Sequence, residues 1–251
     1  MLEIAGVSKR FGGLLAVDAA SLTAERGAIT GLIGPNGAGK TTLFAIIAGF
    51  LEPDQGSIRF EGEEIVGIPP HRLARRGLVR TFQIMQPFQG LTVRENIAVG
   101  CHLRLPNRAA ALAGAEAVAR RVGMEALLDQ PAATLTIAGR KRLELARALA
   151  TDPKLLLLDE VMAGLTPTEI AELLPVIEAI RAGGTTILMI EHVMAAVMSL
   201  AEQVYVLSDG RVIAAGPPAD IVADPLVIEA YLGHGAAERL QRQQMGEVAG
   251  A

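Results

Sequence analysis

The stretch Gly34-Pro35-Asn36-Gly37-Ala38-Gly39-Lys40-Thr41-Thr42 fits the phosphate-loop pattern G-x-x-x-x-G-K-[ST]. An apolar run, Ala28 to Ile33, precedes it, and a second, helix-like run, Leu43 to Phe50, follows. A strand that leads into a glycine-rich turn and then a helix aims successive backbone N–H groups, and the positive end of the helix dipole, at one anion. Glycine suits such a turn because a Cβ would block close approach of a phosphate and disfavour positive φ. Lys40 would reach the β- and γ-phosphates, and Thr41 would place its hydroxyl on Mg²⁺. Glycine-rich turns between strand and helix are common, but an ordinary turn has no need of a Lys-Thr pair at this offset. Taken alone, the loop implies binding of a nucleoside triphosphate, a property shared by GTPases, kinases and motors.

The 251 residues, 51% of them apolar, suffice for one large domain or a core with an inserted lobe. A formal net charge of −4 and a pI of about 5.7 give no global attraction to nucleic acid or to an anionic membrane surface. The chain has no Trp and 3% aromatic residues, which leaves little for a base-stacking surface. Mean hydropathy is +0.37, yet charges interrupt every apolar stretch before the ~18 residues that a spanning helix needs. Met1-Leu2-Glu3-Ile4 does not open the basic-then-apolar pattern of a secretory signal. Cys101, the sole cysteine, excludes an internal disulfide and fits a reducing cytoplasm.

Along the chain, Leu2 to Ile4, Leu14 to Leu22 and Ser57 to Phe60 read as strands of a partly antiparallel N-terminal region. Leu43 to Phe50 reads as a buried helix. Between about Ile84 and Ala150 the β-branched runs vanish, and Ala, Leu and Arg dominate Asn107 to Val122 and Lys141 to Ala150, which predicts an inserted helical lobe starting after Gln83. The all-apolar Leu155 to Leu158 predicts a central parallel strand. Thr166-Pro167-Thr168-Glu169 reads as a capping box with Pro at the first helical position, opening a helix to about Arg181. Thr185 to Ile190 is predicted as a strand, His192 to Leu200 as a helix, Val204 to Ala214 as a hairpin turning at Asp209-Gly210, and Ile221 to Leu232 as a helix. The polar segment Gln241 to Ala251 reads as a disordered tail.

Asp159 and Glu160 lie at the carboxyl end of the Leu155 to Leu158 strand, where ligands sit in open α/β sheets. Asp159 would hold the metal, directly or through water, and Glu160 would polarise the attacking water as general base. His192 follows its strand by two residues and could reach the γ-phosphate or that water.

The order of these motifs resembles the ATP-binding cassette family: the phosphate loop, Gln83, a helical insert ending in Leu143-Glu144-Leu145-Ala146-Arg147-Ala148-Leu149, the Asp159-Glu160 pair, then His192. The likeness extends from about Leu2 to Leu232. It implies an α/β fold with a P-loop nucleotide-binding core (a RecA-like, mostly parallel sheet), an N-terminal antiparallel β subdomain and an inserted helical lobe. It implies one domain over residues 1–240, with the core in 1–83 and 151–240 and the lobe in 84–150. It also implies ATP and Mg²⁺ as cofactors, Gln83 as a hinge glutamine reaching Mg²⁺ and the water, and Phe11 as an adenine-stacking aromatic. The family's signature, usually L-S-G-G-Q, falls on Leu135-Thr136-Ile137-Ala138-Gly139, where Thr136 keeps a hydroxyl, the usual glycines and glutamine are changed, and Gly139 serves only if it slips by one place. The helix beginning near Arg140 would still offer its N-terminus to an anion held by a second chain. After Glu160 the chain reads Val161-Met162-Ala163-Gly164-Leu165-Thr166, with Thr166 where the family often has Asp.

One cassette implies that two chains meet head to tail, as a homodimer or as a heterodimer with a second cassette ATPase. Arg80-Thr81-Phe82-Gln83, Leu91-Thr92-Val93-Arg94-Glu95-Asn96-Ile97 and the segment from Ala223-Asp224-Pro225 to Ala230-Tyr231-Leu232-Gly233 resemble the bacterial branched-chain (hydrophobic) amino acid uptake group. That likeness implies a peripheral subunit on the cytoplasmic face of the inner membrane. It would contact integral membrane permease subunits through Gln83 and the lobe, would be served indirectly by a periplasmic substrate-binding protein, and would not bind nucleic acid. A non-catalytic, regulatory cassette that binds nucleotide with little turnover is the alternative that the altered signature leaves open.

Overall fold

The computed structural model describes residues 1–81 and 87–232. Alternation of buried Leu2, Ile4 and Val7 with more exposed neighbours makes β1 (Leu2–Phe11) a one-sided strand. It pairs antiparallel with β2 (Leu14–Ala24) and with β4 (Gln55–Phe60), and the short β5 (Glu63–Glu64) completes a sheet of order β2-β1-β4-β5.

The central sheet follows a different pattern. β3 (Ile29–Ile33), β7 (Leu155–Asp159) and β8 (Thr186–Ile190) are buried at every position, as continuous apolar runs require when both faces are covered. With β6 (Leu78–Arg80), β9 (Gln203–Ser208) and β10 (Arg211–Gly216) they form a sheet of order β10-β9-β3-β8-β7-β6, parallel except for the terminal β9–β10 hairpin. Asp209 and Gly210 turn that hairpin with φ of 48° and 79°, the positive values that a two-residue primed turn demands.

The helices are α1 (Lys40–Ile47), α2 (Pro70–Arg76), α3 (Val93–Cys101), α4 (Arg108–Arg121), α5 (Ile137–Leu149), α6 (Pro167–Ala182), α7 (Met194–Leu200), α8 (Pro218–Ala223) and α9 (Pro225–Leu232). Side-chain period two along β7 divides the core. Leu155 and Leu157 face α1 and the antiparallel sheet, where Leu43, Phe44 and Ile47 are buried. Leu156 and Leu158 face the other side, in one cluster with Leu173 and Ile177 of α6 and Val197 of α7. That cluster continues through Val93, Ile97, Ala115, Ala119, Leu143 and Ala146 into the group formed by α3, α4 and α5. Capping boxes at Thr92/Glu95 and Thr166/Glu169, the second with Pro167 at the first helical position, start α3 and α6, and Asn107 caps α4.

Several boundaries differ from the sequence expectation, each for a local reason. β1 runs to Phe11 because its register with β2 is maintained past the irregularities around Val7 and Lys9. α1 begins at Lys40 and ends at Ile47, since Gly49 with φ of 73° stops it before Phe50. α5 begins at Ile137 rather than near Arg140, because the Thr136 hydroxyl accepts from the Gly139 N–H and caps it earlier. α7 begins at Met194, leaving His192 in the preceding bend. The predicted helix from Ile221 to Leu232 is two helices, broken where Pro225 withdraws a backbone donor after Asp224. The segment Gln241 to Ala251 lies outside the described residues.

Leu157 is fully buried between the two sheets. Leu157→Ala is expected to destabilise the chain by about 2–5 kcal/mol, read from urea unfolding midpoints at constant slope. A loss below about 1 kcal/mol would mean that this interface packs loosely.

Candidate nucleotide site

Leu32 of β3 stands opposite Ile190 of β8, and Ile190 stands opposite Asp159 of β7. The three strands therefore end level with one another. One or two residues past that level the chain presents Gly34, Glu160 and His192 on the same edge.

The loop that follows β3 is wedged between its neighbours. A Cβ on Gly34, φ 150°, would lie 2.0 Å from the Leu207 carbonyl oxygen, and one on Gly39, φ 100°, would lie 2.2 Å from that of Ala16. Both positions thus require glycine for space as well as for conformation. Gly39 precedes α1 and provides no side-chain cap, so the N–H groups of its first turn remain available to an anion. Lys40 opens the helix with 5% of its surface exposed, and its Nζ donates to the carbonyls of Gly34 at 2.8 Å and Pro35 at 2.9 Å. Burial lowers the pKa of this amine, while the charges of Glu160 and Asp159 oppose the shift.

A cleft of about 470 Å³ opens above the loop. Asn36, Gly37, Ala38, Gly39, Lys40, Thr41 and Thr42 form its floor, and Glu160 and His192 one wall. Phe11, Leu14, Leu15 and Ala16 also line it, with Asp209 and Gly210 at the end of the β9–β10 hairpin. Phe11 is 46% exposed at the rim, with Lys9 Nζ 5.8 Å from its ring centroid. An apolar wall carrying an exposed ring, facing a floor of backbone N–H groups, suits a flat base joined to a chain of phosphates.

His192 Nε2 lies 2.8 Å from Glu160 Oε1. Glu160 has a left-handed backbone, φ 50°, and its own N–H donates to the Ile190 carbonyl at 3.0 Å. Beside it Asp159 is 1% exposed. Arg80 Nη2 approaches Asp159 Oδ2 to 2.5 Å, whereas Oδ1, also buried, meets no hydrogen-bond partner among the described residues. An orphaned carboxylate oxygen is costly unless something satisfies it. It stands at the strand end, with the Asp159 charge felt by Lys40 of the phosphate loop, and a carboxylate oxygen is the kind of hard donor that Mg²⁺ takes, so Asp159 fits that ion.

Of the residues expected from sequence, the cleft brings together Phe11, the loop from Asn36 to Thr42, Glu160 and His192, with Asp159 just behind it. Gly34 and Pro35 contribute through their carbonyls to Lys40. Gln83 lies outside the described residues. Thr136 and Gly139 stand apart from the cleft at the start of α5, hydrogen-bonded to each other at 3.1 Å. Sequence reasoning missed Arg80, Lys141 and Glu191. Lys141 shares an i, i+4, i+7 face with Leu145 and Ala148, all three buried, and a lysine at a core position was a legible signal. Glu191 is 2% exposed directly after the all-apolar β8. Burial pushes its carboxyl up to about 7, against the opposing influence of the Met162 N–H and the Lys141 charge.

A phosphate loop between two sheets, with an acidic strand end and a histidine converging on it, defines a nucleotide-binding cassette. Residues 17–163 match the ABC transporter family, and the chain belongs to it. Residues 211–237 match a second family, described as branched-chain amino acid ATP-binding cassette transporter. The high-affinity branched-chain amino acid transport ATP-binding protein BraF of Pseudomonas aeruginosa is 41% identical, over 93% of this chain and 98% of that protein. LivG of Escherichia coli, of the same description, is 40% identical with the same coverage. Among solved structures, a nucleotide-free ATP-binding cassette from an ABC transporter superposes with TM-score 0.84 at 31% identity, covering 92% of this chain and 98% of that one. An ATP-binding cassette of an ABC transporter in its ADP conformation superposes with TM-score 0.85 at 32% identity, covering 93% and 99%.

Lys40→Ala is expected to weaken ATP affinity by roughly tenfold or more in a calorimetric titration, since a charge-assisted contact to phosphate is worth about 1.5–3 kcal/mol. Unaltered affinity would remove Lys40 from the binding site.

Proposed function

We propose that this chain hydrolyses ATP to energise uptake of branched-chain or other hydrophobic amino acids through separate membrane subunits. The observation that carries the reading is the Glu160–His192 contact of 2.8 Å on the wall of the cleft whose floor is the phosphate loop. The amino acid assignment draws support from the relatives named above and from the match at residues 211–237. Among the described residues no helix is long and apolar enough to cross a membrane, so the reading requires membrane partners.

In this reading the loop N–H groups and Lys40 bind the phosphates, and Phe11 stacks on the base. Thr41 and Asp159 would hold Mg²⁺, Asp159 through the Oδ1 that meets no hydrogen-bond partner among the described residues. The ion, when bound, neutralises charge on the transferring phosphoryl group. Glu160 accepts a proton from the attacking water, and His192 holds the Glu160 carboxylate in place. Gln83 and the helical lobe pass the change to the permease on the cytoplasmic face of the membrane. Thr136 and Gly139 face the nucleotide of a second chain, so closure of two cassettes completes each site and hydrolysis reopens them.

A non-catalytic cassette is the second reading, favoured by one feature: the signature position has Ile137 and Ala138 in place of glycine, and its Gly139 N–H is already engaged by Thr136. It implies nucleotide binding without turnover when the membrane partner is supplied.

Glu160→Gln is expected to retain ATP binding, to accumulate as a dimer with ATP on size exclusion, and to lose roughly 10²-fold or more of phosphate release. Steady-state hydrolysis at the wild-type rate would reject Glu160 as general base.

A further inference from the structure

α5 carries two features about a turn and a half apart. At its start, Thr136 and Ile137 are exposed, Ile137 by 58%. At Lys141 the side chain has turned inward and is 5% exposed. A buried ammonium needs partners, and those it finds belong to the wall of the cleft. Its Nζ donates to the backbone oxygen of Glu160 at 2.8 Å. Glu191, buried close by, accepts the Met162 N–H at 3.0 Å through Oε1. The Glu160 N–H is held in turn by Ile190 at 3.0 Å. The turn 160–162 is therefore fastened on one side to 190–191 and on the other to α5.

That fastening matters because Glu160 has φ of 50°. A non-glycine residue in this region persists only where its surroundings over-determine it. The direction of the Glu160 carboxylate, and hence its contact with His192, follows from this backbone. The Lys141 bond to the carbonyl of the same residue is one of the contacts that fix it.

We propose that Lys141 and Glu191 are positioning residues, the first tying the Glu160 turn to α5 and the second bracing it against the end of β8, so that displacement of the Thr136 end of α5 by a second chain is transmitted to this chain's own Glu160. The proposal rests on the reading of Glu160 as general base and of Thr136 to Gly139 as partner-facing. It makes the stretch from Thr136 to Lys141, at the start of α5, a rigid lever whose two ends serve two different nucleotide sites. The lever is short: five residues at 1.5 Å rise separate Thr136 from Lys141, about 7.5 Å. A helix of that length transmits displacement with little loss, because each turn is held by its own backbone hydrogen bonds.

The test uses the full chain with ATP and Mg²⁺, reading kcat, KM, ATP affinity and thermal unfolding. Lys141→Met and Glu191→Ala are each expected to lower kcat roughly 10- to 100-fold, the scale of a small misplacement of a reacting group, with KM and ATP affinity within about threefold. Lys141→Arg, which keeps a donor for the Glu160 carbonyl, is expected to restore most of kcat. The double variant is expected to lose about as much as either single one, because both act on one turn. A kcat near wild type in either single variant overturns the proposal. So does parallel loss of kcat and ATP affinity, or a Lys141→Arg variant no better than Lys141→Met. Should Lys141→Met fail to fold, Glu191→Ala decides by its own kcat against ATP affinity, and a Lys141→Arg variant that loses tenfold or more of wild-type kcat overturns the proposal. A wild-type chain that binds ATP but does not turn over would instead defeat the functional reading beneath it.

Discussion

The site depends on the parallel register of β3, β8 and β7, in which Leu32, Ile190 and Asp159 lie at one level. Beyond that level the three strands lead into the phosphate loop, the bend with His192 and the turn with Glu160. A one-residue slip of any strand would move its end by about 3.3 Å and turn its side chains to the other face of the sheet. The Glu160–His192 contact of 2.8 Å could not survive that. The register is held because both faces of these strands are buried, and a slip would exchange the leucines that face α1 with those that face α6.

Around this edge the molecule keeps charges in expensive places. Lys40, Lys141, Asp159 and Glu191 are all 5% exposed or less. Each has found a partner in the backbone or in another charge: carbonyls of the loop for Lys40, the Glu160 carbonyl for Lys141, Arg80 for Asp159, the Met162 N–H for Glu191. Removing Arg80 would strand the buried Asp159 charge, which costs far more than the pair contributes. Such a network therefore specifies geometry more than it adds stability. It also crosses between parts of the fold, since Arg80 lies on the edge strand β6 of the central sheet and Lys141 lies on α5, packed against α3.

Local chemistry was the part most legible in the chain. The Lys40-Thr41 pair, the capping box at Thr166, the Asp209-Gly210 turn and the all-leucine run of β7 each rest on a few adjacent residues, and each appears where expected. Ends of elements were less legible. α5 starts three residues before Arg140 because a single hydrogen bond, from the Gly139 N–H to the Thr136 hydroxyl, settled the matter, and the predicted helix from Ile221 to Leu232 broke at Pro225. Both signals were present, as a Thr able to cap and a Pro without a backbone donor.

Residue order alone determined that Gly34 to Thr42 would form a glycine-rich turn between a strand and a helix, that Asp159 and Glu160 would end a buried strand, and that His192 would follow another. These are consequences of bond geometry and of which side chains avoid water. Sequence could not determine that the three would meet, nor that Lys141 and Glu191, 50 positions apart, would close on the same turn from opposite sides. Only the strand order β3-β8-β7 and the packing of α5 decided that, because contacts between distant residues are set by how whole buried faces fit together.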